Sequence, residues 1–95
     1  MDLESIQLSV YPNPFDTHTN ISFQLAEAAL AAVEVYDLQG RRLRQLHNAL
    51  LPAGDHHLNW EGADAGGQPL SAGLYFIRLT VGKEVLMKKA MLQRR

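Results

Sequence analysis

No cysteine occurs in the 95 residues, which removes disulfide staples and thiolate metal sites from consideration. Cysteine content leaves the compartment open, because a domain with an adequate core can be extracellular without disulfides. Long apolar runs are missing as well. Nothing approaches the roughly 18 residues needed to span a bilayer, so no transmembrane segment is expected. The opening Met1-Asp2-Leu3-Glu4 has neither the basic start nor the apolar stretch of a secretory signal. There is no G-x-S-x-G nucleophile elbow and no glycine-rich phosphate loop ending in G-K-S/T. Without a cysteine or an elbow serine, catalysis has no visible nucleophile, and the expectation is a protein that is not an enzyme and uses no cofactor.

What is present describes one small domain, residues 1–95. A chain of this length supports a single core, and 46% hydrophobic with 20% charged residues is ordinary globular composition. The net charge of −1 hides a division: residues 1–77 carry three basic and nine acidic side chains, whereas 78–95 carry six basic and one acidic. A basic terminal hairpin on an acidic body reads either as a recognition surface or as an edge strand guarded by lysines against unwanted pairing. Basic residues here are not interleaved with exposed aromatics, so nucleic acid is not the expected partner.

Seven short segments rich in Val, Ile, Leu, Tyr and Phe alternate with Gly, Pro, Asn and Asp clusters, the spacing of an all-β sandwich. The strands are expected at 6–11, 19–25, 33–37, 41–51, 55–60, 73–81 and 84–93. Pro12-Asn13-Pro14 ends the first, since two prolines remove two ladder donors. In the second, Ile21, Phe23 and Leu25 alternate with Asn20, Ser22 and Gln24, giving a buried and a wet face. Residues 26–32 contain good helix formers but lead straight into strand alternation, so a turn is expected there. Strand four is expected to be irregular near Asn48. Tyr75, Ile77, Leu79 and Val81 share one face of the sixth and strongest strand.

Four histidines, His18, His47, His56 and His57, are the first metal suspects. Neighbours along a strand point to opposite faces, so His56 and His57 cannot share an ion, and no carboxylate stands at a matching spacing; no metal is expected. Glu61 and Asp64 lie in a glycine-rich loop that could hold calcium, but the alternating acidic ladder of an EF-hand is missing, and an Asx turn suits Asp64 better. Trp60, Tyr11, Tyr36 and Tyr75 could build a sugar-stacking platform, although each also sits where a core or rim aromatic belongs.

The motifs Val10-Tyr11-Pro12-Asn13-Pro14-Phe15, Val35-Tyr36-Asp37-Leu38-Gln39-Gly40-Arg41 and Leu70-Ser71-Ala72-Gly73-Leu74-Tyr75-Phe76-Ile77-Arg78-Leu79, followed by Gly82-Lys83 and Lys88-Lys89, cover nearly the whole chain. In their order and spacing they resemble the type A C-terminal sorting domain of the type IX (Por) secretion system. That resemblance implies a Bacteroidota cargo tag. The parent protein would enter the periplasm through its own N-terminal signal and cross the outer membrane to the cell surface. The implied partners are the type IX translocon and a sortase-like surface protease that exchanges the domain for a lipopolysaccharide anchor. Carried onto this sequence, the recognition elements are Gly73 and Tyr75, the Gly82-Lys83 turn, and Lys88 with Lys89. Met1 then stands where cargo should be, as the start of an excised piece.

A second resemblance runs from Trp60 through Glu61-Gly62-Ala63-Asp64-Ala65-Gly66-Gly67-Gln68-Pro69 to Gly73-Leu74-Tyr75. It is similar to the W-D-G-x-D-x-x-G-x-P pattern of the immunoglobulin-like domain of the flagellar hook-capping protein, with Glu61 in place of aspartate. Both families imply a seven-stranded antiparallel immunoglobulin-like β-sandwich. The reading is therefore a sorting and attachment module, with a carbohydrate-binding accessory module as the alternative. An exposed edge strand would also allow two copies to pair.

Overall fold

The computed structural model describes residues 6–94; the opening Met1-Asp2-Leu3-Glu4 and the terminal Arg95 lie outside them. Seven strands are formed among the described residues: β1 (Leu8–Tyr11), β2 (Thr19–Leu25), β3 (Ala29–Tyr36), β4 (Arg42–Leu51), β5 (Gly54–Trp60), β6 (Gly73–Val81) and β7 (Glu84–Leu92). They make a three-stranded sheet in the order β1-β2-β5 and a four-stranded sheet in the order β4-β3-β6-β7. The seven strands pair antiparallel throughout, as expected of an immunoglobulin-like sandwich, and a single parallel bridge joins Phe15 to Leu92. No helix among the described residues is long and apolar enough to cross a membrane.

Alternation builds the core. Ile21, Phe23 and Leu25 from β2 face Val33 and Val35 from β3 and Ile77 and Leu79 from β6, all buried. Each such side chain contributes roughly 1.5–3 kcal/mol of burial free energy. One end of the sandwich is filled by Trp60, whose ring centre lies 5.5 Å from that of Phe15 and, in a T-shaped pair, 5.8 Å from that of Tyr75.

One expectation needs correction. Strand three begins at Ala29, four residues earlier than the alternation after Ala32 suggested, because Ala29 and Leu30 pair with Leu51 and Leu50 and Ala31 is sealed in the core. Tertiary pairing overrides the helix propensity of an Ala-rich run. The irregularity of β4 expected near Asn48 is found there and again further along the strand: the register shifts opposite Val33/Glu34 and opposite Val35/Tyr36. Leu46 and Leu43 are the extra residues. Their spacing of three cannot place both on one face of a regular strand, and the bulges let both pack on the core.

Two loops repeat one device. In Asp37-Leu38-Gln39-Gly40-Arg41 and Asp64-Ala65-Gly66-Gly67-Gln68, the aspartate Oδ1 accepts the N–H groups two and four residues on, at 2.9–3.0 Å. Its backbone pairs with the fifth residue, and the fourth is a glycine with φ of 84° or 85°. A side chain at that position would be strained. Asp64 thus builds the Asx turn anticipated for it.

Candidate functional site

The terminal ribbon, β6 and β7, is the surface that the sequence singled out. Gly82 and Lys83 form a two-residue connection closed by Val81 and Glu84, and Gly82 has φ 58°, which places it at the first central position of a type II′ turn. Along β7, Leu86, Ala90 and Leu92 face the core, while Val85, Met87 and Met91 stand exposed on the outer face. Lys89 lies opposite Phe76 on that outer face. Lys88 is opposite Ile77 on the inward-facing side, yet it is exposed because β7 is the margin of its sheet. A lysine pointing inward on an edge strand deters indiscriminate pairing.

The outer margin of β7 is half closed. Asn13 inserts its side-chain amide as if it were backbone: Nδ2 donates to Lys89 O at 2.7 Å and Oδ1 accepts from Met91 N–H at 2.9 Å. Phe15 continues the pairing, donating its N–H to Met91 O at 2.9 Å and accepting from Gln93 N–H at 2.8 Å. The Pro12-Asn13-Pro14 segment, with both prolines cis, therefore covers the ribbon from Lys89 to Gln93. From Val85 to Met87 no hydrogen bond closes the margin among the described residues, although β1 passes close beside β7. Replacing Asn13 by alanine is expected to cost about 1–2 kcal/mol, two partly hydrated hydrogen bonds, and to speed hydrogen exchange at the Met91 amide; unchanged exchange there would contradict the clamp.

The six residues assigned to recognition do not form one surface. Lys83, Lys88 and Lys89 are exposed and without ion pairs among the described residues, and Gly82 presents the turn. Tyr75 is only 7% exposed, packed against Trp60 with its hydroxyl donating to Ser71 O at 2.6 Å. Gly73 pairs with Leu92 at the opposite end of β6 from the turn. Those two hold the ribbon in place, and a receptor docking on the folded domain would meet the lysines.

The basic charges of the tail also divide. Arg78 is spent internally on Glu34, a carboxylate set in the outer face of the four-stranded sheet and almost buried there. Its oxygens accept from Arg42 at 2.8 Å, Arg78 at 3.0 Å, the Tyr36 hydroxyl at 3.0 Å and Gln45 at 3.3 Å. Burial pushes the Glu34 carboxyl up, but the Arg42 and Arg78 guanidiniums, with Tyr36 and Gln45, bring it down to about 2. Burial and the bond to Glu34 push the Tyr36 hydroxyl up, and Arg78 lies over its ring at 4.6 Å. Arg94 serves the scaffold too, donating to Gly62 O at 2.9 Å and Leu70 O at 3.1 Å. The Glu34 cluster and the Asn13 clamp were both missed by sequence reasoning; the only signals were a lone acid between Val33 and Val35 and an asparagine between two prolines.

The other candidates are occupied. Asp64 is committed to its turn. Glu61 binds Arg44 at 2.7 Å, and that bond holds its carboxyl below the usual range. No cluster of three or more His, Cys, Asp or Glu among the described residues could hold a metal. Of the four aromatics, Trp60 and Tyr75 are core, Tyr36 lies beneath Arg78, and Tyr11 is 73% exposed. Trp60 also fixes its loop, donating its indole N–H to Ala63 O at 2.9 Å.

That tryptophan-anchored loop, followed by the glycine-led sixth strand, lies within residues 9–84, which match the family model for the FlgD Ig-like domain. The chain belongs to the FlgD Ig-like domain family. Like fold is found in the crystal structure of dimeric latent PorU from Porphyromonas gingivalis, with a TM-score of 0.77 and 17% identity over 100% of this chain and 10% of that one. It recurs in PorZ, described as an essential bacterial surface component of the type-IX secretion system of the same organism, with a TM-score of 0.65 and 22% identity over 92% of this chain and 11% of that one. This FlgD Ig-like domain therefore spans about a tenth of each of those proteins, and at such identities the likeness is one of fold. No curated protein matches.

Proposed function

We propose that this domain is a non-catalytic C-terminal sorting domain that directs its parent protein across the outer membrane by type IX secretion and on to the cell surface. The observation that carries the reading is the terminal ribbon, with exposed Lys83, Lys88 and Lys89 beside a margin that, among the described residues, has no hydrogen-bonded neighbour at Val85 and Met87. A receptor can take backbone affinity from such a margin and orientation from the cations. The likeness to PorU and PorZ gives further support, since PorZ is named as a component of that secretion system. The translocon and a sortase-like surface protease are the partners under this reading, in a Bacteroidota cell. The carbohydrate-binding alternative is left with Tyr11 as its exposed aromatic, too little for a stacking platform.

The test is export. A periplasm-targeted reporter carrying this domain at its C-terminus should reach the surface of a type IX-competent host. Replacing Lys88 and Lys89 together by alanine should leave most of it in the periplasm, as fractionation would show, with the folded domain's circular dichroism unaltered. Undiminished export of the double variant would refute the assignment.

A further inference from the structure

Resting on the sorting reading, we infer that the open part of the β7 margin, Val85 to Lys89, is a strand-addition site for an extended acidic segment of another protein. In the antiparallel pairing with β6, the turn-closing pair Val81 and Glu84 fixes which residues bond inward: Glu84, Leu86, Lys88, Ala90 and Leu92. The alternate residues aim their backbone outward, as the contacts of Asn13 and Phe15 to Lys89, Met91 and Gln93 show directly. The N–H and C=O of Val85 and Met87, and the N–H of Lys89, are thus presented without a partner among the described residues. Lys89 O is already taken by Asn13, so an incoming strand is stopped there. The site is about five residues, or roughly 17 Å, long.

Side-chain chemistry selects the occupant. On the outer face an added strand lies beside Val85 at 57% exposure and Met87 at 51%, which favour apolar residues at alternate positions. At the clamped end it meets Lys89 on the outer face and Lys88 on the other; at the far end Lys83 sits in the turn, and Glu84 is the single acid of the ribbon. Acidic residues in the added strand offset that charge. A second copy does not: two β7 margins side by side bring four lysines onto one short ribbon, and like charges across a pair are unfavourable.

The experiment uses the whole chain and two probes, the blocked peptides Thr-Val-Glu-Val-Glu-Val-Thr and Thr-Val-Lys-Val-Lys-Val-Thr. The glutamate peptide should bind at low millimolar concentration or better and slow hydrogen exchange about tenfold at the Val85, Met87 and Lys89 amides. Its affinity should fall at least about fivefold at high salt, and by a similar factor when Lys88 and Lys89 are replaced by alanine. The lysine peptide should not bind. Met87→Pro should abolish capture while leaving the β6 ladder intact, since the lost N–H points outward; should that variant unfold, the exchange pattern of the unaltered domain still decides. No slowing at those three amides, equal binding of both peptides, or the same protection arising from dimerisation without peptide would overturn the site. Lysine-dependent export with no peptide capture overturns this site and leaves the sorting reading; capture with lysine-independent export does the reverse.

Discussion

Trp60→Ala is expected to remove about 4 kcal/mol of stability, a large share of the roughly 5–15 kcal/mol available to a domain of this size. The side chain is 0% exposed and packs between Phe15 and Tyr75. Truncating a buried aromatic to alanine costs 3–5 kcal/mol through lost transfer energy and the cavity left behind. The indole also donates to Ala63 O, so the alanine variant takes the short bond from that carbonyl and leaves it the longer one from Arg44 at 3.4 Å. Trp60→Phe keeps most of the ring volume and should cost about half as much. Urea unfolding followed by far-ultraviolet circular dichroism separates the three proteins; a loss below about 1 kcal/mol for the alanine variant would mean that this end of the core repacks freely.

The effect should reach the ribbon. The loop that Trp60 anchors supplies Gly62 O to Arg94, and Gly62, with φ 76°, leaves room where a methyl group would come within 3.0 Å of the Arg94 guanidinium and 3.3 Å of Leu92. Leu92 and Arg94 stand at the clamped end of β7. The core aromatic, the turn and the final residues therefore hold one another, and the same end receives Asn13 and Phe15 from the first loop. Among the described residues, what remains without a hydrogen-bonded neighbour is the outer edge of the turn-proximal half of β7, so under the proposal above the part of the ribbon that accepts a partner is defined by how thoroughly the other half is tied down.

Local periodicity carried most of the fold into the sequence. Strands β2 and β6 have the bounds that their alternation implied, and the Asx turn at Asp64 was legible because the bonds involved span only four residues. What could not be read was information held in register. Glu34 gathers Arg42 and Gln45 from β4 and Arg78 from β6, an arrangement fixed only once both neighbours are paired with their bulges in place. Asn13 meets β7 across 76 and 78 residues of chain, and an asparagine between prolines reads locally as a turn. Tyr75 shows the converse: alternation placed it on the core face with Ile77 and Leu79, where its ring is buried, so the motif that marked it for recognition marks an interior residue.

Acid should expose the contribution of Glu34. Its carboxyl stands at about 2 in the folded protein against an ordinary value of 4.5, so the unfolded chain takes up its proton first. The stabilisation is complete above about pH 4.5 and is lost as pH falls from there towards 2. A depression of this size corresponds to roughly 3 kcal/mol at neutral pH, reduced to about 2 kcal/mol because Arg42 and Arg78 are partly in solvent and screened. Glu34→Gln keeps the shape but not the charge, and should be less stable than the parent by about 2 kcal/mol at pH 7. The gap should narrow below pH 4.5 and nearly close at pH 2. Asp37 and Glu61 are also held low by their hydrogen bonds, chiefly from the Arg41 backbone and the Arg44 side chain; they weaken both proteins alike in acid and cancel from the difference. A gap independent of pH in urea titrations would mean that Glu34 acts through packing alone, and a gap that widens in acid would reverse the sign of its coupling to the two arginines.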